Sequence, residues 1–116
     1  MFLDDLRNHC FAKPGVTEGF PFDKSTLVFK VFGKMFALVD VDVFEAINLK
    51  CDPEKAVELR ESHQGIQPGY HMNKTHWNSV YLNEDVSDQL LVELIDHSYE
   101  LVYASLPKKV RNENPI

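Results

Sequence analysis

Two β-branched and aromatic runs, Leu27 to Phe32 and Met35 to Val41, stand only Gly33-Lys34 apart. So short a gap forces the runs back on each other as antiparallel strands, because a parallel pair needs a crossover of a dozen or more residues. Glycine in first place suits a type II′ connection, whose first central residue takes positive φ. Val43 to Leu49 continues as a third strand after a turn at Asp40 and Asp42. Ahead of the strands, Leu3, Leu6, Cys10 and Phe11 repeat at helical spacing over residues 2–12, and Pro14-Gly15 stops them. The Phe- and Pro-containing stretch that follows reads as a connection.

Asp52-Pro53-Glu54 opens a second helix, with an N-capping carboxylate, a proline at the first helical position and an acid that complements the dipole. It runs to about Ser62. Gly65 and Pro68-Gly69 return the chain to turns, a short strand near Ile66 or Tyr70 is expected, and Trp77 to Leu82 alternates as a further strand. Val80 and Leu82 share one face there, with Trp77, Ser79 and Tyr81 on the other. Val80→Asp is therefore expected to destabilise the fold more than Asn78→Ala. Val86, Leu90, Leu91, Leu94, Ile95, Leu101 and Val102 form the apolar stripe of a long helix ending before Pro107. The order predicts an α+β fold, an antiparallel sheet with helices packed on one face, in a single domain over residues 1–116.

No apolar stretch approaches the roughly 20 residues needed to span a bilayer, and Asp4-Asp5 occupy the place of a secretory signal's basic flank. A cytoplasmic protein is expected, with Cys10 and Cys51 as free thiols because their spacing suggests no bridge. The formal charge of −6 argues against indiscriminate phosphate binding. Its distribution is uneven. Residues 79–106 hold Glu84, Asp85, Asp88, Glu93, Asp96 and Glu100 with no Lys or Arg, whereas the tail 107–116 sets Lys108, Lys109 and Arg111 against Glu113 alone.

The segment from Ser62 to Asn83 has no carboxylate side chain and gathers His63, Tyr70, His71, Asn73, Lys74, His76, Trp77, Asn78 and Tyr81. Cations and amides of this kind contact phosphate, and aromatic faces stack on bases. The same residues have plain uses as well: His71, Asn73 and Asn78 can satisfy backbone groups of a Pro-Gly loop, and Trp77 can cover a sheet face. His71 and His76 match no strong zinc spacing, so no metal is assigned. Cys51 before a helix N-terminus is either an activated thiol or a buried strand-end residue. Ser62-His63 has no triad context, and no glycine pattern of a nucleotide site is present, so neither catalysis nor a cofactor is argued for. Lys30, Phe32, Phe36, Phe44, Asn48 and Lys50 would share one sheet surface under clean alternation, as a binding platform or a homodimer interface.

Lys50-Cys51-Asp52-Pro53-Glu54, the block Pro68-Gly69-Tyr70-His71-Met72-Asn73-Lys74-Thr75-His76-Trp77-Asn78-Ser79-Val80, Ser98-Tyr99-Glu100-Leu101-Val102, Leu106-Pro107-Lys108-Lys109 and Phe32-Gly33-Lys34-Met35-Phe36-Ala37 together resemble the MmcQ/YjbR family over nearly the whole chain. That resemblance implies the order α-β(3)-α-β(2)-α, similar to secretion-chaperone-like or frataxin-like (CyaY-like) architectures, and DNA binding of a double-wing type. It brings no catalytic residues with it. The leading expectation is a DNA-binding protein without catalytic activity that uses His71, Asn73, Lys74, His76, Trp77, Asn78, Lys108, Lys109 and Arg111. The alternatives are a chaperone-like or other protein-interaction module that dimerises through its sheet, and a small-ligand binder or enzyme using the His71 to Asn78 block.

Overall fold

The computed structural model describes all 116 residues, Met1–Ile116. The elements are α1 (Leu3–Phe11), β1 (Val16–Gly19), β2 (Thr26–Val31), β3 (Lys34–Asp40), β4 (Ala46–Lys50), α2 (Pro53–Ser62), β5 (Ile66–Pro68), β6 (Trp77–Tyr81), α3 (Asp88–Ala104) and α4 (Lys108–Glu113). The strands form one six-stranded sheet in the order β1-β2-β3-β4-β6-β5, every neighbouring pair antiparallel. This is the expected α+β layout with two additions, β1 in the first connection and α4 in the basic tail.

The β2–β3 turn differs from the expected type. Val31 pairs with Lys34, so the two loop residues are Phe32 and Gly33, not Gly33 and Lys34. Both have positive φ, +45° and +87°, which defines a type I′ turn. Glycine accepts that conformation at no steric cost, and the Phe32 ring packs against Tyr103 at 6.2 Å between centroids. Below the turn the register jumps: Phe29 faces Ala37 and Lys30 faces Met35, leaving Phe36 as a bulge residue. Phe36 and Ala37 are consequently both fully buried in the main core.

That core lies between one sheet face and the helices. Leu6 and Cys10 of α1 and Leu91, Leu94, Ile95, Tyr99 and Val102 of α3 meet Leu27, Phe29, Val31, Val39, Ile47, Leu49, Ile66 and Val80 from the strands. Ser98 of α3 is the polar member. Its hydroxyl donates to the bulge carbonyl of Phe36 at 2.5 Å and accepts the Lys50 amide at 2.9 Å, tying α3 to β3 and β4 at once. Nearer the rim, Asp96 accepts from Lys13 at 2.6 Å and bonds His9 at 2.7 Å, which clamps α1 to α3. Cys10 and Cys51 are free and buried, and burial pushes their thiols up to about 12 and about 11. Neither is an activated nucleophile.

The Asp52 amide donates to Nε2 of His97 at 3.2 Å, a bond that needs the neutral ring. Burial, then the Lys55 charge, lowers His97 from its ordinary 6.5. The unfolded chain therefore takes up the proton first as pH falls. The stabilisation is complete above about pH 6.5 and is lost as pH drops through the folded value. Urea midpoints measured between about pH 7.5 and 5 should fall for the wild type and fall less for His97→Gln. Parallel curves would show that another group carries the dependence.

Candidate functional site

With all the core-facing helices on one side, the second sheet face stays open, and alternation decides what it shows. Across the strands one row reads Thr17, Lys30 and Met35 on β1 to β3, with Lys50 and Trp77 paired on β4 and β6 beyond the end of the β3–β4 pairing; the next reads Gly19, Val28, Leu38, Asn48, Ser79 and Gln67, and the last Thr26, Asp40, Ala46 and Tyr81. The expected platform is therefore only half right. Lys30, Asn48 and Lys50 lie on this face, but the bulge turns Phe36 into the core, Phe32 sits in the turn, and Phe44 packs on the main core ahead of β4.

A second, smaller core covers part of the open face: Val28, Leu38 and Trp77, with Met35 and Met72 packed against them. Met72 comes from the β5–β6 loop, which folds back over the sheet. Gly69 permits this, since a Cβ there would stand 2.9 Å from the Trp77 Cβ and 3.0 Å from its carbonyl oxygen. The Lys74 ammonium donates to the Gly69 carbonyl at 2.9 Å, the Asn73 side chain accepts from the Thr75 amide at 2.9 Å, and Arg60 reaches the Lys74 carbonyl from α2. His71 takes a left-handed φ of +57° and its ring lies 4.1 Å from that of Tyr70. One bond relay anchors the loop: the Tyr70 amide donates to Ser79 Oγ at 2.9 Å, and that hydroxyl donates to Asn48 Oδ1 at 2.5 Å.

Between this loop and the β1–β2 loop runs a groove of about 490 Å³, floored by Met35, Leu38 and Asn48 and walled by Phe22 on one side and Tyr70, His71 and Met72 on the other. Its volume is within the roughly 300–1,000 Å³ usual for ligand sites. Phe22 and Tyr70 are 64% and 68% exposed, large apolar surface left in water at the groove's lips. The charged groups that line it are acidic. Asp23 and Asp40 flank the groove at the Thr26 end, where amide donors from Thr26 and Ser25 hold the Asp23 carboxyl below its ordinary range. Lys30 and Lys50 do not line the groove but lie on the same sheet face beyond Met35. Burial and then the nearby Lys34 charge lower Lys50, and the Lys34 ammonium itself donates to Ser105 Oγ of α3 at 2.8 Å.

The nine sequence candidates do not form one surface. His71 lines the groove, and Asn73, Lys74 and His76 are exposed in the loop beside it. Trp77 is only 9% exposed, beneath Met72. Asn78 points the opposite way, buried toward α2, where its Oδ1 accepts from Arg60 Nε at 2.7 Å and its Nδ2 donates to the Ala56 carbonyl at 3.5 Å. The tail cations sit on α4, Lys108 and Lys109 exposed and Arg111 Nε donating to the Leu106 carbonyl at 3.1 Å. Tyr70 belongs to the carboxylate-free cluster read from the sequence, whereas Phe22, Met35, Leu38, Asp40 and Met72 were not singled out as site residues. Period-two alternation alone places Leu38 and Asp40 beside Asn48, but nothing in the sequence announces that two loops fold over them. No three His, Cys, Asp or Glu side chains converge as a metal site, and no helix is long and apolar enough to cross a membrane.

Fold and groove define an open-faced α+β domain: one antiparallel sheet, helices against one face, a loop-walled groove on the other. The family model for YjbR matches residues 11–101, and the chain belongs to the YjbR family. It is 36% identical over 112 residues to uncharacterized protein YjbR of Escherichia coli K12, covering 96% of this chain and 95% of that one. It is 43% identical over 97 residues to uncharacterized protein YbdF of E. coli O157:H7, covering 83% and 80%. The crystal structure of Deinococcus radiodurans protein DR2400, assigned to domain DUF419, superposes with a TM-score of 0.90 at 47% identity, covering 96% of this chain and 86% of that one.

The Tyr70–Ser79–Asn48 relay makes Ser79 the residue that holds the loop over the sheet. Ser79→Ala leaves the Tyr70 amide without its acceptor and should cost about 1 kcal/mol. It should also speed hydrogen exchange at the Tyr70 amide well beyond that global loss. Unchanged protection at Tyr70 would mean that the Gly69 amide bond to the Trp77 carbonyl, with the Lys74, Met72 and Arg60 contacts, holds the loop without Ser79.

Proposed function

We propose that this domain is a DNA-binding module without chemistry of its own, taking a single strand across the open sheet face. The observation that carries the reading is the meeting, on that face, of a lysine row with an aromatic-lipped groove. Phosphates gain from Lys30 and Lys50, and an anion beside Lys50 relieves its repulsion with the nearby Lys34, the smaller cause after burial of its lowered pKa. Exposed ring faces at Phe22 and Tyr70 suit bases that are not held in a duplex. Lys74, His71 and His76 border the same path from the loop, while Trp77 and Asn78 support it from inside the fold. Lys108, Lys109 and Arg111 on α4 add attraction at longer range.

A second reading has one observation in its favour. Phe20, Phe22, Val43 and Tyr70 are all about half or more exposed, and apolar surface of this kind also suits a second copy of the chain. Sedimentation across a concentration series separates the two, because a dimer closed over the groove would gain mass with concentration and lose it when DNA is added.

Fluorescence anisotropy with a labelled single strand over a salt series tests the proposal. Each phosphate contact contributes about 0.7 to the log-affinity versus log-salt slope, so Lys30→Gln with Lys50→Gln should flatten it by roughly 1.4. Neutralising Lys74, Lys108, Lys109 and Arg111 together reports the share of loop and tail. A wild type without salt-sensitive binding at low ionic strength removes DNA as the ligand.

A further inference from the structure

We infer that the groove receives one unpaired guanine of the bound strand, an inference that rests on the DNA reading and gives it a base preference. The groove's polar groups are few and their orientations are set. Ser79 Oγ already accepts from the Tyr70 amide, so its single proton goes to Asn48 Oδ1, and the Asn48 amide must turn its Nδ2 donors away from Ser79. Asn48 thus offers hydrogen-bond donors from the floor. Asp40 uses Oδ1 to accept the Asp42 and Val43 amides at 2.9 and 3.1 Å, while its other oxygen has no protein donor. Asp23 is no competitor, because Ser25 and Thr26 occupy both its oxygens.

A planar group in this slot meets Met35, Leu38 and Met72 on the floor side and the Phe22 and Tyr70 rings at the lips. Its edge must then present N–H groups to the Asp40 carboxylate and an acceptor to the Asn48 amide. Guanine has two adjacent N–H donors on its pairing edge, with the O6 acceptor beside them. Thymine flanks its single N–H with carbonyls, and adenine and cytosine put a ring lone pair next to their amine, so each turns a lone pair toward a carboxylate that repels it. With Oδ1 taken by its turn, the free Oδ2 of Asp40 is the acceptor on which the adjacent N–H groups of guanine converge, a charge-assisted contact. The lysine row at the other end of the face leaves the sugar-phosphate chain outside the slot, where Lys30 and Lys50 meet it.

The test uses oligothymidylate strands carrying one central guanine, adenine or abasic residue, with anisotropy read on the full-length protein. Wild type should bind the guanine strand roughly ten-fold tighter than the abasic strand, with adenine between them. Asp40→Asn keeps the acceptor that caps its turn but places an amide toward the base; it should reduce guanine to the adenine level without changing the salt slope. Tyr70→Ala, at an exposed position, should shrink the gain from either base. Guanosine monophosphate, added to labelled protein, should shift the backbone amide signals of Leu38, Asn48 and Met72. Salt-sensitive binding that ignores the base, or a preference that survives Asp40→Asn in protein of wild-type stability, overturns the guanine inference and leaves the DNA reading standing. Amide shifts with guanosine monophosphate but no strand binding keep the pocket and overturn the DNA reading. Silence in both assays overturns both.

Discussion

A six-stranded sheet has two faces, and the helices that meet its main core lie against only one of them. The other must balance exposure against solubility with whatever the loops supply. This chain does so by folding the β5–β6 loop back until Met72 lies on Trp77, which makes a three-residue core of Val28, Leu38 and Trp77 with two methionines as filling. Methionine suits that task because its unbranched side chain adapts to an irregular surface. The cover is partial. What remains open is the groove, so the site is the remainder of an incompletely covered sheet, and its walls are the segments that do the covering.

The layout of that face is decided one layer below it. The bulge at Phe36 sends two consecutive residues into the core, and the compensating shift leaves Met35 and Leu38 both on the open side. Without it, β3 would alternate strictly, and Met35 could not share a face with Leu38. Bulges leave backbone groups unpaired, and here Ser98 answers one of them while also receiving the Lys50 amide. A buried hydroxyl on α3 thereby fixes the end of β4 that carries Lys50 in the cationic row. Asn78 acts similarly from β6: facing the helices, it gives Arg60 a partner, and Arg60 in turn holds the loop through the Lys74 carbonyl.

What was legible in the sequence follows from how local its cause is. The β2–β3 hairpin, the capped start of α2 and the split of Val80 from Trp77 and Ser79 depend on residues a few positions apart, and the alternation or the cap spells them out. β1 was not legible, because Val16-Thr17-Glu18-Gly19 has a single apolar residue and owes its place to pairing with β2 and to the Glu18 bond from Arg7 at 3.0 Å. α4 is six residues long, too short to show a period, and is held by the Tyr103 hydroxyl donating to the Asn114 carbonyl at 2.7 Å. The turn type was missed because register, not composition, decides which residues occupy its centre. The candidate block from His71 to Asn78 looked uniform as a string, yet its members divide among the groove wall, the small core and the opposite face. Composition reports that such residues are near one another in the chain, whereas only the pleat and the loop closure sort them by direction.

The same sorting makes a net charge of −6 compatible with the phosphate ligand proposed above. Exposed carboxylates of α3, Asp88, Glu93 and Glu100, belong to the layer that covers the main core, on the far side of the sheet from the groove. Asp96 is already engaged by Lys13 and His9; burial would raise its carboxyl, but those bonds outweigh it and hold it below its ordinary range. The open face instead presents lysines at one end and acids at the other. At physiological salt a charge acts over roughly 8 Å, so a strand lying on that face responds chiefly to the cations beneath it. On the proposed reading such a polarity would orient approach more than add affinity: a phosphate chain would be drawn to the Lys30 and Lys50 end, and Asp40 would exclude phosphate from the groove while accepting the N–H groups of a base. A uniformly basic face of the same size would bind nucleic acid more tightly and select less, since it would hold the backbone in any direction and leave the groove without a reason to be read.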